Sequence, residues 1–581
     1  MDVRCALVSA LALPFFISSA WATSPTRLES VLPADTGVFL SVLDVSDFRA
    51  RWPESPLGAL WREPELGWAS GGGDAPQHVL SRRIEEATGL DLVEILNAFE
   101  GQVAFVAPDL SAFFASGPTG SWAVAAVDSN DSALRALALR VRAAGSRGPA
   151  VEPTTRTAST GTVMHVLPAH AGAAEIGWAF GGGVAFLASP AAYLEALVAG
   201  SAATGSHLDE SPALRELAPS AATSDLSLYV DLHGLRDLVL AGLAGMEKPD
   251  TATAAFLGIT PEAVVHAFGL EAFRGFRVAA SLSRSETLVD AGILVNDSPG
   301  LARLLAYVPG PCPRPAVIPP DVVFASVSRF RVAAFWAGLL EMLEAVQPGL
   351  SALSAIQIQA VARSAGVDFE HDLLEQLGDD TFTAYLPSSR AVSDTAFWGA
   401  FDQLSGIRVK NPGAMDSTVA ALLAASPMPM QAPMETEAIG GVSVHTLRFG
   451  PLTNSPAFSY AFLDSMLLAA GGDPNVLAHA LAAARGPGGS LWDRADLAPL
   501  WRSIPPEAAN VTFWDPRALE PLARYPEPAD KGDSADSTGS PARRARILAG
   551  IVGRHLGPAV ASTVKTPSGF FTRMRLTHPE P

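Results

Sequence analysis

One string of landmarks occurs twice in this chain, in the same order, at a shift that stays between 277 and 285 residues. Val38-Phe39-Leu40-Ser41-Val42 returns as Val323-Phe324-Ala325-Ser326-Val327. Gly89-Leu90-Asp91 with Gly101–Phe105 returns as Gly366-Val367-Asp368 with Gly378–Phe382, and Gly161–His165 returns as Gly441–His445. A match this long is a repeated domain rather than a solenoid unit. It predicts two tandem homologous domains, residues 23–316 and 317–581, with the boundary in the proline-rich stretch Pro309–Pro320. The length of 581 residues points the same way, since one core seldom supports so long a chain.

The residue patterns predict an α+β fold. Short apolar runs (Val38–Leu43, Gln102–Ala107, Trp122–Val127, Val163–Leu167, Ile176–Phe180 and Val184–Ala188) read as strands. Ser132–Ala144 carries apolar residues at helical spacing. Ser189-Pro190 and Asp473-Pro474 each open a further helix, because a capping side chain followed by proline suits a first turn. Val278–Asn296 maps on Val560–His578 at a constant shift of 282, a hairpin in both copies. Runs this close in sequence favour antiparallel pairing, because parallel strands need a crossover. The expected architecture is a curved antiparallel sheet in each copy, with helices packed on one face. Pro526–Arg543, rich in Asp, Ser, Gly and Pro, is expected to be a disordered surface loop.

Residues 1–22 read as a secretory signal. Arg4 precedes an apolar run from Cys5 to Ala20, and Ala20-Trp21-Ala22 fits a cleavage site. The expected location is therefore periplasmic or extracellular, and no later run is long and apolar enough for a membrane span after cleavage. An excess of 59 acidic over 40 basic residues argues against nucleic acid as a partner. Beyond Cys5 the only cysteine is Cys312, which reads as an incidental thiol.

No spacing in the sequence matches a known chemistry. There is no His-Glu-x-x-His, no paired CxxC, no phosphate-binding loop and no nucleophile elbow, so no catalytic residue, metal ligand or cofactor is assigned. His165 and its counterpart His445 lie in apolar strands and read as packed core histidines. Asp379-Asp380 and other neighbouring carboxylates read as solvated. Tryptophan is the most suggestive residue. Trp52, Trp61 and Trp68 cluster after the first strand, and Trp336 occupies a place near that of Trp52 in copy two. These four are the candidate ligand-binding residues, with packing as the competing role.

Leu32-Pro33-Ala34-Asp35-Thr36 leads into a strand and is followed by Trp52, Pro56-Leu57 and Pro64-Glu65-Leu66. Ser211-Pro212 runs through Leu217-Ala218-Pro219 into Leu228–Leu232. With Gly89–Leu96 before Gly101–Phe105, these features resemble a family of exported bacterial proteins known only as a domain of unknown function. Copy two departs from the opening phrase, with Pro319-Pro320-Asp321 in its place. The resemblance implies export and this kind of fold, and brings no activity with it.

The expected function is therefore a non-enzymatic binding or scaffolding protein of the bacterial cell envelope, whose partner is a protein or a hydrophobic ligand. A hydrolase with an unfamiliar site in a groove between the copies, and a membrane-associated structural component, are the alternatives.

Overall fold

A computed structural model describes residues 27–63, 85, 88, 90, 92–114, 120–145, 152–169, 174–181, 183–202, 206–217, 224–244, 260–296, 300–388, 401–425, 434–448, 457–486, 489–520 and 541–578. The signal expected at 1–22 lies outside them, as does most of the loop expected at 526–543. The last residues of that loop, 541–543, begin the helix Pro541–His555.

The described residues fall into two compact units. Unit one comprises those within Met1–Arg62, Ser70–Gly245 and Phe273–Asn296. Unit two comprises those within Glu63–Ala69, Met246–Ala272 and Asp297–Pro581.

Unit one contains strands β1 (Val38–Val42), β2 (Val103–Ala107), β3 (Trp122–Val127), β4 (Thr154–Thr157), β5 (Val163–Leu167), β6 (Ile176–Gly181), β7 (Val184–Ser189), β8 (Leu226–Asp231), β9 (Phe273–Leu282) and β10 (Glu286–Val295). They pair antiparallel in the order β4-β5-β6-β7-β3-β2-β1-β8-β9-β10. Unit two contains β11 (Phe324–Arg329), β12 (Leu377–Pro387), β13 (Phe401–Val409), β14 (Glu435–Ile439), β15 (Val442–Arg448), β16 (Ala457–Leu463), β17 (Met466–Gly472), β18 (Asn510–Trp514), β19 (Ala559–Thr566) and β20 (Gly569–Thr577). Its order is β14-β15-β16-β17-β13-β12-β11-β18-β19-β20, again antiparallel. The two orders correspond strand for strand. The fold is α+β on antiparallel sheets.

Helices do not keep to one face, contrary to the expectation. In unit one the helix α1 (Asp131–Gly145) takes a hydrogen bond from Trp178 Nε1 to Asp131 at 3.1 Å. On the preceding residue, Gly177, a Cβ would stand 2.7 Å from Leu194 of helix α2 (Ala191–Ala202). Successive residues of a strand point to opposite faces, so α1 and α2 cover opposite sides of β6. The cause is in the composition of the strands. β1, β2, β3 and β7 are apolar at nearly every position and buried at every position, and a sheet buried on both faces needs two covers.

Unit two opens with helix α3 (Pro261–Phe268), which Thr260 caps through its hydroxyl and Gly269 ends in the left-handed conformation. The repeat boundary read from the sequence, 316/317, leaves this segment in copy one. In the structure its packing lies with helix α4 (Val332–Val346), and Val265 and Ala267 are buried there. Proline at 348 and a left-handed Gly349 turn the chain from α4 into helix α5 (Leu350–Ser364). Helix α6 (Pro412–Ala425) and helix α7 (Val476–Arg485) follow. Leu477, Ala480 and Leu481 of α7 join Val327, Phe382, Leu404, Leu468 and Phe513 in the core.

The opposite face of the same strands is half-buried and lined by hydroxyls. Ser326 lies beside Thr512 (3.4 Å), Ser328 beside Thr381 (2.9 Å) and Thr383 beside Ser405 (3.4 Å). Backbone pairing shows which positions correspond. Gly37 donates to Ala107 O and accepts from Asp231 N, while Val323 donates to Tyr385 O and accepts from Asp515 N. Val323 therefore occupies the place of Gly37, not of Val38 as the matching strings suggested. The last hairpin slips in the same way. Ser283 faces Glu286 across its turn, and Thr566 faces Gly569, a shift of 283 rather than 282. A slip of one residue turns every side chain to the other face.

Candidate functional site

The four tryptophans do not form one site. Trp52 ends the helix Val45–Arg51, is half-buried against the unit-one core and has its ring 5.8 Å from Phe48. Its carbonyl accepts the Ser55 hydroxyl, which in turn caps the helix Pro56–Trp61. Trp336 lies on α4, half-buried, with its ring edge-on to Phe369 at 5.3 Å. Each packs on a ring of its own unit. The Trp61 side chain and all of Trp68 lie outside the described residues.

The histidines and carboxylates are likewise engaged. His165 stacks on its cross-strand partner Trp178 at 5.2 Å, and His445 on Tyr460 at 4.7 Å. His445 Nδ1 is 3.0 Å from the Thr436 hydroxyl. Asp380 pairs with Arg408 at 2.7 Å and with Arg329 at 3.8 Å, and Asp379 pairs with Arg331 at 3.3 Å. Cys312 donates its thiol to Val327 O, and burial pushes that thiol up to about 12. A thiol held protonated is a poor nucleophile. Among the described residues no group of three His, Cys, Asp or Glu could hold a metal ion.

The concave feature of unit two lies elsewhere. Helices α3, α4 and α5, with the short helix Leu301–Leu304, surround a groove of about 820 Å3. That volume falls in the range of small-molecule sites. Helix α4 contributes Ala337, Leu340, Glu341, Met342, Glu344 and Ala345 to the lining. Its sequence, VAAFWAGLLEMLEAV, is apolar almost all round, yet only Gly338 is fully buried. A Cβ there would stand 3.3 Å from Arg303 Cβ, a contact tight enough that Arg303 would have to give slightly.

The polar groups lining the groove satisfy one another. His266 Nδ1 is 3.2 Å from Glu271, and Arg303 NH1 bridges both oxygens of Glu341 at 2.7 and 2.6 Å. Glu344 accepts the Ser351 hydroxyl and the Gly349 N–H, which hold its carboxyl below the usual range and fasten the α4–α5 turn. The apolar lining is Ala337, Leu340, Met342, Ala345, Ala352 and Ala355. Small side chains on facing helices keep the space open. The surface on offer is therefore mainly apolar, edged by hydrogen-bonded carboxylates.

The sequence did not single out this groove. Its lining comes from four segments, and none carries a recognisable spacing. The one available signal was α4 itself, an apolar helix interrupted only by Glu341 and Glu344, which must find cover or a ligand.

Among the described residues no helix is long and apolar enough to cross a membrane. No family model matches the chain, and no curated protein matches it. Three solved structures of TP0453 align in part. Crystal form III aligns at 9% identity and a TM-score of 0.23, over 50% of this chain and 89% of that one. Crystal form IV aligns at 11% and 0.22, over 48% and 83%, and crystal form I at 12% and 0.23, over 48% and 82%. Likeness at this level carries no argument about fold or function.

Proposed function

We propose that this chain is an exported, non-enzymatic protein of the bacterial cell envelope, made of two tandem homologous domains, that holds a long-chain apolar ligand in the helical groove of unit two. One observation carries the reading. The groove's polar side chains already hold hydrogen bonds from neighbouring groups, so what remains to recognise a ligand is mainly apolar surface. Burial of apolar area, roughly 25 cal/mol per Å2, is then the main source of affinity. The shared strand order supports the duplication, and the leader-like residues 1–22 support export.

The test is titration of the full chain with cis-parinaric acid, whose fluorescence rises in an apolar site. Ala352→Trp and Ala337→Trp fill the groove from α5 and α4, at two exposed alanines. Saturable binding in the wild type, weakened at least about tenfold in either variant (about 1.4 kcal/mol), is the expected result. Equal binding by all three proteins would reject the groove.

A further inference from the structure

Helix α5 has a second apolar face that the groove does not use. Leu353, Ile356 and Val361 are 51%, 66% and 68% exposed, the most exposed large apolar side chains among the described residues. Leu353 and Ile356 are three apart and neighbours on the helix surface, and Val361 closes an arc of about 140° that also holds exposed Gln357. Exposed Ala360 lies between them, and Ala352 and Ala355 of the groove lie on the adjoining side. Isolated apolar residues at a surface are ordinary, but three aligned on one helix form a patch with a use.

Charge narrows what covers it. From Leu350 to Val367 there is no Asp or Glu, in a chain whose net charge is −19, and Arg363 is the one ionic group. A second copy would bring two strongly acidic bodies together, and an acidic partner would meet the same repulsion. A basic partner would find no carboxylate on the stripe. A neutral apolar phase meets no such objection.

We infer that the Leu353–Ile356–Val361 stripe docks α5 on the surface of a lipid bilayer, where the adjoining groove exchanges its ligand. The inference rests on the groove reading and adds the source of the ligand. A helix with one face in the headgroup boundary needs no span, only apolar side chains along one side. Because the chain is strongly acidic, docking is expected on zwitterionic vesicles and is weaker on anionic ones, the more so at low salt.

The experiment places a nitrobenzoxadiazole fluorophore at Ile356→Cys in the full chain, with Glu437→Cys on the exposed strand β14 as the control site and Cys5→Ser in both. Half-buried Cys312, with its thiol held protonated, is left unlabelled. Phosphatidylcholine vesicles should shift the emission of the probe at 356 to the blue and raise it, and leave the probe at 437 unchanged. Parinaric acid uptake is measured on the same preparations. No change at 356 with normal uptake would overturn the docking and leave the groove reading standing. Docking without uptake would overturn the groove reading and leave the surface. A blue shift at 356 that depends on protein concentration and needs no vesicles would assign the stripe to a second copy and overturn the inference.

Discussion

Unit one and unit two share a strand order but treat the same sheet face in opposite ways. Leu40 lies between Phe105 and Leu228, all in or packed against a dry core under α1. The corresponding position in unit two is Ser326, between Thr383 and Thr512, half-buried and bonded through hydroxyls. The central strands of unit one are buried at every residue, whereas β11, β12 and β13 alternate. Topology therefore does not dictate which faces are dry. The connecting segments do. In unit two the chain between β11 and β12 is drawn into α4 and α5, which build a groove instead of a lid.

Exchanging residues between the corresponding positions is the sharpest way to break this comparison. Leu40→Ser removes a buried side chain and leaves a hydroxyl to be satisfied, and is expected to destabilise unit one by about 3–5 kcal/mol. Ser326→Leu is expected to change stability by less than about 1 kcal/mol. Calorimetry of both variants checks the pair, and equal losses would show that the two faces are equally dry.

A second contrast concerns charge. Unit one buries Asp225, which accepts the Leu282 N–H at 3.1 Å. Desolvation pushes its carboxyl up to about 8, against the pull of that hydrogen bond and of Arg51. The unfolded chain ionises near 3.9. Folding is then favoured relative to high pH while both states are protonated, below about pH 4, and that advantage is lost as the pH rises to 8. Asp225→Asn should therefore stabilise unit one at pH 9 by on the order of a few kcal/mol and have little effect at pH 4. Denaturant midpoints at the two pH values measure it. The corresponding residue of unit two is Ala509, so no such dependence is expected from that position.

The smallest effect is at the groove turn. Glu344 is held below the usual carboxylate range, so its contribution is present above about pH 4.3 and fades as the pH falls through its folded value. Glu344→Gln should leave global stability nearly unchanged and speed hydrogen exchange at the Gly349 amide.

Much of the fold was legible in the sequence. Strands such as β3 and β7 are apolar runs between turn residues, and α1 and α2 carry either helical spacing or capping punctuation. The edge strands β4 and β14 were not, because TTRT and ETEAI are exposed along almost their whole length and show no alternation. Register was misread by one residue at β1, β2 and β9, since matching apolar residue to apolar residue hid the exchange of Leu40 for a serine. Trp52 and Trp336 were visible as large side chains, but their packing on Phe48 and Phe369 depends on contacts the sequence does not display. The groove stayed hidden because its walls are alanines, which mark nothing in a chain this rich in them.

The most direct measurement of the central claim is native mass spectrometry of the full chain purified from its own cells, beside Ala352→Trp. The account predicts excess mass on the wild type that is lost on denaturation, resolves to a long-chain amphiphile and is absent from the variant. A bare polypeptide mass in both would contradict it.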